Sequence, residues 1–383
     1  MVAASGLAGA DVREISGAGK VNRPALRRVS QPLVFRGVHL MNILGKNPSQ
    51  SSQRQFMGLE NYHNGQFRNP GNVRFSPADA NLGQMLRDYL RRPATVTPSR
   101  PIPSVTTDLR QLPALAAPTL VWFGHSSYLI KAAGLTMLVD PVFSGAASPV
   151  PYSVQAYVGA NTYQVADLPP IDVLLITHDH YDHLDYATVR QLRDKVTRLV
   201  VPLGVGSHFR HWGFEEARIT ELNWHDTTTL PGGAQLTATP AQHMSGRGVR
   251  ARRTLWASYV LQLPGHRLFL GGDSGYGPHF RAIGAQYGPF DLAVLENGQY
   301  NELWHAVHTL PAETARAAQE LGARLLLPVH WAKFTLGYHP WNEPIRLLLP
   351  AAEALGLPVT VPRIGEPYTL GEPVKQAAWW DFD

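Results

Sequence analysis

Thr177-His178-Asp179-His180-Tyr181-Asp182-His183-Leu184-Asp185 packs three histidines and three carboxylates into nine residues, directly behind the apolar run Val173-Leu174-Leu175-Ile176. An apolar run of this length reads as a buried strand, and Tyr186 to Lys195 has helical spacing behind an Asp185 suited to cap it. The cluster therefore occupies a strand-to-helix loop. Neutral imidazoles suit zinc and iron, and carboxylates complete the shell, so this composition describes a hard to borderline divalent site. From such a loop His178 and His180 can point to one side while Asp182 and His183 point to the other, which gives two neighbouring metal positions. Two cations about 3.5–4 Å apart are the arrangement used to hydrolyse phosphate esters and other polarised bonds.

Read as His-x-His-x-Asp-His after an apolar strand, the stretch resembles the signature of the metallo-β-lactamase superfamily. Such a site needs further ligands from distant loops. His243 follows the strand-like run Gln235 to Thr239, Asp273 follows Arg267-Leu268-Phe269-Leu270, and His330 follows Arg324 to Val329. Each lies at the C-terminal end of an apolar strand, where open α/β sheets place their ligands. The resemblance implies His178, His180 and His243 on one metal, Asp182, His183 and His330 on the other, and Asp273 bridging both. It also implies that Asp140, after the strand Leu135 to Val139, orients the metal-binding loop as a hydrogen-bond partner. His125, in Gly124-His125-Ser126-Ser127, reads equally as a residue aimed at the site and as a structural histidine. The fold implied is α/β, a four-layer αβ/βα sandwich.

Composition bounds the rest. A chain of 383 residues with 44% hydrophobic content can bury a sizeable core. Zero cysteines exclude disulfides, thiolate-bound zinc and thiol nucleophiles, so nitrogen and oxygen alone must hold the metal. The formal charge of +5 and pI near 9.4 are mildly basic, compatible with a phosphate-bearing substrate or an anionic membrane surface. No segment offers about 18 consecutive apolar residues, and a soluble protein, cytoplasmic or peripheral to a membrane, is expected. Met1 to Ala10 is small and apolar but lacks a charged start, and reads as a disordered or truncated leader.

Residues 1–115 are expected to form an irregular extension packed on a hydrolase domain spanning 116–383. Polar runs such as Asn47-Pro48-Ser49-Gln50-Ser51-Ser52-Gln53 dominate this extension, and Asn81 to Arg92 is its one clear helical pattern. Phe35, Phe56, Tyr62, Phe67 and Phe75 are candidate anchors, or the lining of a substrate groove. From Thr119 onward strands dominate, and beyond the metal loop strand and helix patterns alternate. Helices are predicted after Pro278, over Pro311 to Leu321 and over Pro344 to Leu355.

Finer strings bear on the substrate. His178 to Asp185, Val201 to Gly204, Arg253 to Trp256, Gly272 to Tyr276, Gly288 to Leu292 and Val329 to Trp331 resemble the N-acyl-phosphatidylethanolamine-hydrolysing phospholipase D family and its bacterial relatives. The match departs from the animal enzymes in the N-terminal region and around Leu295 to Tyr300. The resemblance implies a phosphodiesterase in which a metal-bridging hydroxide attacks phosphorus, oriented by Asp182 or Asp273. His308, before a Pro-initiated helix, would lie beside the metals and assist the leaving group. Its rival reading is a helix cap or surface histidine, and His305 and His339 read as non-ligands.

Arg247 and Arg250, shortly after His243, are candidates to grip a phosphate, against the alternative of a solvated loop; Arg253 reads as structural. Leu303-Trp304 could line an apolar channel. Two divalent ions are expected, zinc by default, with iron and manganese also compatible. The expected partner is a small-molecule or lipid phosphodiester, with peripheral membrane contact open and the oligomeric state undetermined. The rivals are a lactonase or β-lactam hydrolase on the same metals, a nuclease, and a non-catalytic binding module. No lysine-rich or aromatic-interleaved arm supports nucleic acid.

Overall fold

Along the strand that leads into the histidine run, Val173 and Leu175 pack in one buried cluster and Leu174 and Ile176 in another, because successive strand residues face opposite sides. A strand buried on both faces lies inside a layered sandwich. The structure is a computed structural model and describes residues 42–73, 82–132, 134–150, 152–248 and 250–382.

In the described part of the N-terminal region lie α1 (Gln50–Phe56), the hairpin β1 (Tyr62–His63) and β2 (Gln66–Phe67), and α2 (Leu82–Arg91). The first half of the sandwich holds β3 (Thr119–Trp122), β4 (Tyr128–Ala132), β5 (Leu135–Val139), β6 (Ile171–Leu175), α3 (Tyr186–Leu192), β7 (Val196–Pro202), α4 (Gly206–His211) and β8 (Ile219–Leu222). The second half holds β9 (Thr227–Thr229), β10 (Gln235–Thr239), β11 (Ser258–Leu263), β12 (His266–Leu270), α5 (His279–Tyr287), β13 (Leu292–Glu296), α6 (Pro311–Glu320) and β14 (Leu326–Val329). Then come α7 (Glu343–Ala354) and β15 (Pro367–Thr369), which returns to the first sheet beside β3.

The first sheet runs β15-β3-β4-β5-β6-β7-β8 and the second β14-β13-β12-β11-β10-β9. β5 to β8 are parallel, as are β12 to β14, so several strands of each sheet end on the same edge. Leu120, Trp122 and Val173 share a cluster with Leu236, Ala238 and Leu270 of the second sheet, while Val121, Leu129 and Leu174 pack against Val189 of α3 and Phe209 of α4. On the far side Phe280, Leu321 and Leu348 join the second sheet. The order is helices, sheet, sheet, helices, the four-layer arrangement that the motif implies.

Among the described residues of the N-terminal region, Phe56, Tyr62 and Phe67 pack on one another with ring centroids 4.8–5.5 Å apart, and on Leu255 and Trp256. These three rings are anchors. Phe35, Phe75 and Met1 to Ala10 lie outside the described residues. The polar run expected to be irregular carries α1, capped by Ser49, whose hydroxyl accepts from Ser52 N at 3.2 Å. One buried residue, Phe56, anchors that helix, which leaves no apolar period for the sequence to display.

Candidate metal centre

Three strand ends of the first sheet build one wall. At the end of β5, Asp140 takes a left-handed backbone (φ 40°) and accepts hydrogen bonds from Thr177 N (2.8 Å), Thr177 Oγ1 (2.6 Å) and His183 Nδ1 (2.8 Å). Donation through Nδ1 leaves the His183 Nε2 lone pair facing the interior, buried and without a hydrogen-bond partner among the described residues. The three carboxylates of the histidine run have separate tasks. Asp182 faces the site, 3.5 Å from His183 Nε2. Asp185 caps α3 by accepting from Ala187 N at 3.0 Å. Asp179 turns away and ties the loop to its surroundings, accepting from His208 Nε2 (3.0 Å), Thr254 Oγ1 (2.8 Å) and Gly246 N (2.7 Å).

Strand ends of the second sheet supply the opposite wall. His178 Nε2 lies 2.9 Å and His243 Nε2 3.2 Å from His180 Nδ1, and Asp273 Oδ2 is 3.8 Å from both Nε2 atoms. His243 donates its Nδ1 proton to Val307 O at 3.0 Å, which points its other lone pair into the group. Ligand nitrogens about 2.0–2.1 Å from a tetrahedral zinc stand about 3.3 Å apart, close to the observed spacings. Asp273 also reaches the second group, at 3.1 Å from His183 Nε2 and 3.2 Å from His330 Nδ1. Asp273 Oδ1 and His330 Nε2 are buried without hydrogen-bond partners. Buried orphan lone pairs converging in this way suit cations. His178, His180 and His243 form one ligand-like group; Asp182, His183 and His330 belong to a second, which also contains His125.

His125 does face the site: its Nε2 is 2.9 Å from Asp182 Oδ2. His125 and His330 both hold left-handed backbones (φ 53° and 67°), and His330 N donates to His125 O while His125 N donates to Trp331 O, each at 2.9 Å. The same strap that places one candidate ligand thus places the residue that orients another. Burial lowers the pKa of His178, His180, His243 and His330, favouring the neutral form that binds metal. Burial pushes the Asp182 and Asp273 carboxyls up, but neighbouring imidazoles, His183 first, hold both well below the usual range.

These groups floor a cavity of about 310 Å³ whose walls include Met244, Gln299, Trp304, Val307 and Leu336. His308 lines it as well, with Nδ1 2.6 Å from Glu296 Oε2. Burial pulls His308 down, yet the Glu296 carboxylate raises it to about 9, and burial pushes Glu296 itself up to about 7. The other carboxylate oxygen of Glu296 accepts from Ser274 N (2.9 Å) and Thr309 N (3.1 Å). Gly275 allows this close approach, since a Cβ there would collide with Ala306 O. The sequence marks Glu296 only as part of the stretch Leu295 to Tyr300 that departs from the animal enzymes, although a carboxylate at a parallel-strand C-terminus is the signal that marks Asp273.

The arginine expectation needs correction. Arg247 does not face the cavity. It is 3% exposed, and its guanidinium donates to Ile43 O (2.7 Å), Asp179 O (2.9 Å) and Leu184 O (2.6 Å), while lying 4.2 Å from the Tyr181 ring centre. These backbone carbonyls occupy the donors that a phosphate would need. Arg250 is exposed and is not among the cavity residues, and among the described residues no lysine or arginine lines the cavity. Arg253 donates to Gly65 O at 2.8 Å, tying the N-terminal hairpin down. Phe56, Tyr62, Phe67 and Leu303 do not line the cavity, whereas Trp304 does. His305 pairs with Glu313 and His339 accepts from Gln299 N, both outside the ligand-like groups.

Residues 136–331 match the family model described as a beta-lactamase superfamily domain. An uncharacterized protein of Mycobacterium tuberculosis is 38% identical over 326 residues, covering 84% of this chain and 87% of that protein. An N-acyl-phosphatidylethanolamine-hydrolyzing phospholipase D of Caenorhabditis elegans is 29% identical over 250 residues, 61% of this chain and 70% of that enzyme. Among solved structures, Igni18, a metallo hydrolase from the archaeon Ignicoccus hospitalis, aligns with a TM-score of 0.53 at 19% identity, covering 67% of this chain and all of that one. The matched model spans half the chain and includes the histidine run, Asp273 and His330, so the chain belongs to the beta-lactamase superfamily as a metal-dependent hydrolase.

Proposed function

We propose that this protein is a phosphodiesterase of the phospholipase D type, acting on a small-molecule or lipid phosphodiester. The observation that carries the reading is His308 in the cavity wall, backed by a carboxylate and facing the ligand-like groups. The similarity to a phospholipase D over 61% of the chain supports the same substrate class. His178, His180 and His243 would hold one cation, Asp182, His183 and His330 the other, with Asp273 between them. Zinc is the simplest occupant of a nitrogen and oxygen donor set, and iron or manganese also fit it. Two such cations lower the pKa of water and polarise a phosphoryl oxygen.

The chain's own residues do the rest. Asp182 and Asp273 orient the attacking water, Asp140 and His125 hold the loop and carboxylate that do so, and His308 gives a proton to the departing oxygen from Nε2. Met244, Trp304 and Leu336 present apolar surface to the substrate's organic group. A lactonase or β-lactam hydrolase is the second reading, favoured because no lysine or arginine is among the described residues that line the cavity.

Bis(p-nitrophenyl) phosphate, a simple lactone and nitrocefin, offered to metal-analysed protein with His178→Ala as control, separate the two readings. Diester turnover that tracks about two metals per chain and vanishes in the control is the expected result. Lactone or lactam turnover alone overturns the phosphodiesterase reading and leaves the hydrolase in place.

A further inference from the structure

We infer that Glu296 is a positioning residue for proton delivery, and that it fits the site to phosphodiesters with unactivated alkyl leaving groups. The inference rests on the phosphodiesterase reading. Its geometric basis is the 2.6 Å contact between Glu296 Oε2 and His308 Nδ1, at a carboxylate 3% exposed. Because a carboxylate accepts there, Nδ1 must carry the hydrogen, and the ring is fixed with Nε2 as its remaining functional atom. Glu296 cannot swing away, since Ser274 N and Thr309 N hold its other oxygen. Ser274 adjoins Asp273 and Thr309 adjoins His308, so one carboxylate sets the spacing between the candidate bridging ligand and the proton donor.

Among the described residues the cavity lining offers no alternative donor of this kind: His180, His243 and His330 would each hold a cation in the assignment above, and no lysine or arginine is in the lining. An alkoxide is a poor leaving group and needs a proton as the bond breaks; a nitrophenolate does not. In the reaction, oxygen of water bonds to phosphorus and the bond from phosphorus to the alkyl oxygen breaks. The Nε2 proton of His308 passes to that oxygen, which departs as an alcohol. The proton released by water goes to solvent, from which His308 is reprotonated, and the other product is a phosphate monoester. Glu296 stabilises the imidazolium before transfer and the Nδ1–H tautomer after it, as the buried carboxylate does in hydrolytic triads.

The test uses the metal-loaded enzyme and the variants His308→Ala, Glu296→Gln and the double variant. Gln preserves volume and an acceptor for Ser274 and Thr309, but presents N–H groups to His308 Nδ1. Against a dialkyl phosphate ester, each single variant should lose roughly 10²-fold or more in kcat, whereas on bis(p-nitrophenyl) phosphate the loss should be at most about 5-fold. Metal content should be unchanged, and the double variant should be no slower than His308→Ala, because both residues act through one proton. Equal losses on both substrates, additive losses in the double variant, or loss of metal from Glu296→Gln would each overturn the inference. Proton NMR judges the pair without a substrate: a far-downfield Nδ1 proton in the native protein, missing in Glu296→Gln, is expected. Its absence from the native protein overturns the pairing itself. A native enzyme that bears this proton but turns over neither diester would instead bring down the substrate reading.

Discussion

Asp140 is 1% exposed and carries three hydrogen bonds, one of which fixes the ring of His183. Exchanging it for Asn replaces an acceptor by a donor opposite His183 Nδ1. Asp140→Asn is therefore expected to weaken metal binding by about 10–100-fold, measured by chelator competition, while the fold survives. At this scale the ligand-type residues are legible in the sequence because their chemistry is rare and their spacing tight. The direction of a side chain is not. Asp179 and Asp182 sit three positions apart in one loop, yet one faces His208 and Thr254 and the other the metal groups. Arg247 reads as a phosphate grip by type, but its donors find the carbonyls of Ile43, Asp179 and Leu184, distant in sequence and adjacent only after folding.

The elements show the same division. Helices with Pro in the first turn, α6 and α7, and the β-rich run after Thr119 are visible because burial imposes a period on them. The hairpin β1-β2 has two residues per strand, too few to show any alternation. It is held by tertiary contacts: Phe67 is fully buried against Tyr62 and Phe56, Phe67 N donates to Arg252 O at 2.9 Å, and Asn69 Oδ1 accepts from His243 N at 2.8 Å. The last bond connects this segment to a candidate ligand. Phe67→Ala should cost about 3–5 kcal/mol of stability, read as a lower urea midpoint at unchanged m-value. An unchanged midpoint would show that the hairpin adds nothing to the fold.

In the molecule as a whole the two sheets meet with candidate ligands on both, so the site exists only when the halves are packed together. Beneath it, Lys333 is fully buried, donating to Phe123 O (3.1 Å) and Val142 O (2.9 Å), and burial lowers its pKa from 10.5 to about 7. A lysine lowered in this way binds fewer protons folded than unfolded between those two values. Stability from this group therefore rises as pH climbs from about 7 toward 10.5, and is lowest below that window, where the fold must bury a cation. Urea midpoints of the native protein relative to Lys333→Met should increase across that range. A pH-independent difference would mean that Lys333 is not buried as a titrating amine. Among the described residues no helix is long and apolar enough to cross a membrane.

The sequence by itself determined the superfamily, the α/β layering and a set of metal-seeking residues at strand ends. These follow from local chemistry: apolar runs need burial, and clustered imidazoles and carboxylates need a cation. Only the tertiary structure decided which carboxylate faces the ligand-like groups, that Arg247 is spent on the backbone, and that Glu296 stands behind His308. Those outcomes depend on partners that share no stretch of chain, because a buried polar group takes the nearest complementary atom in space, whatever its place in the sequence.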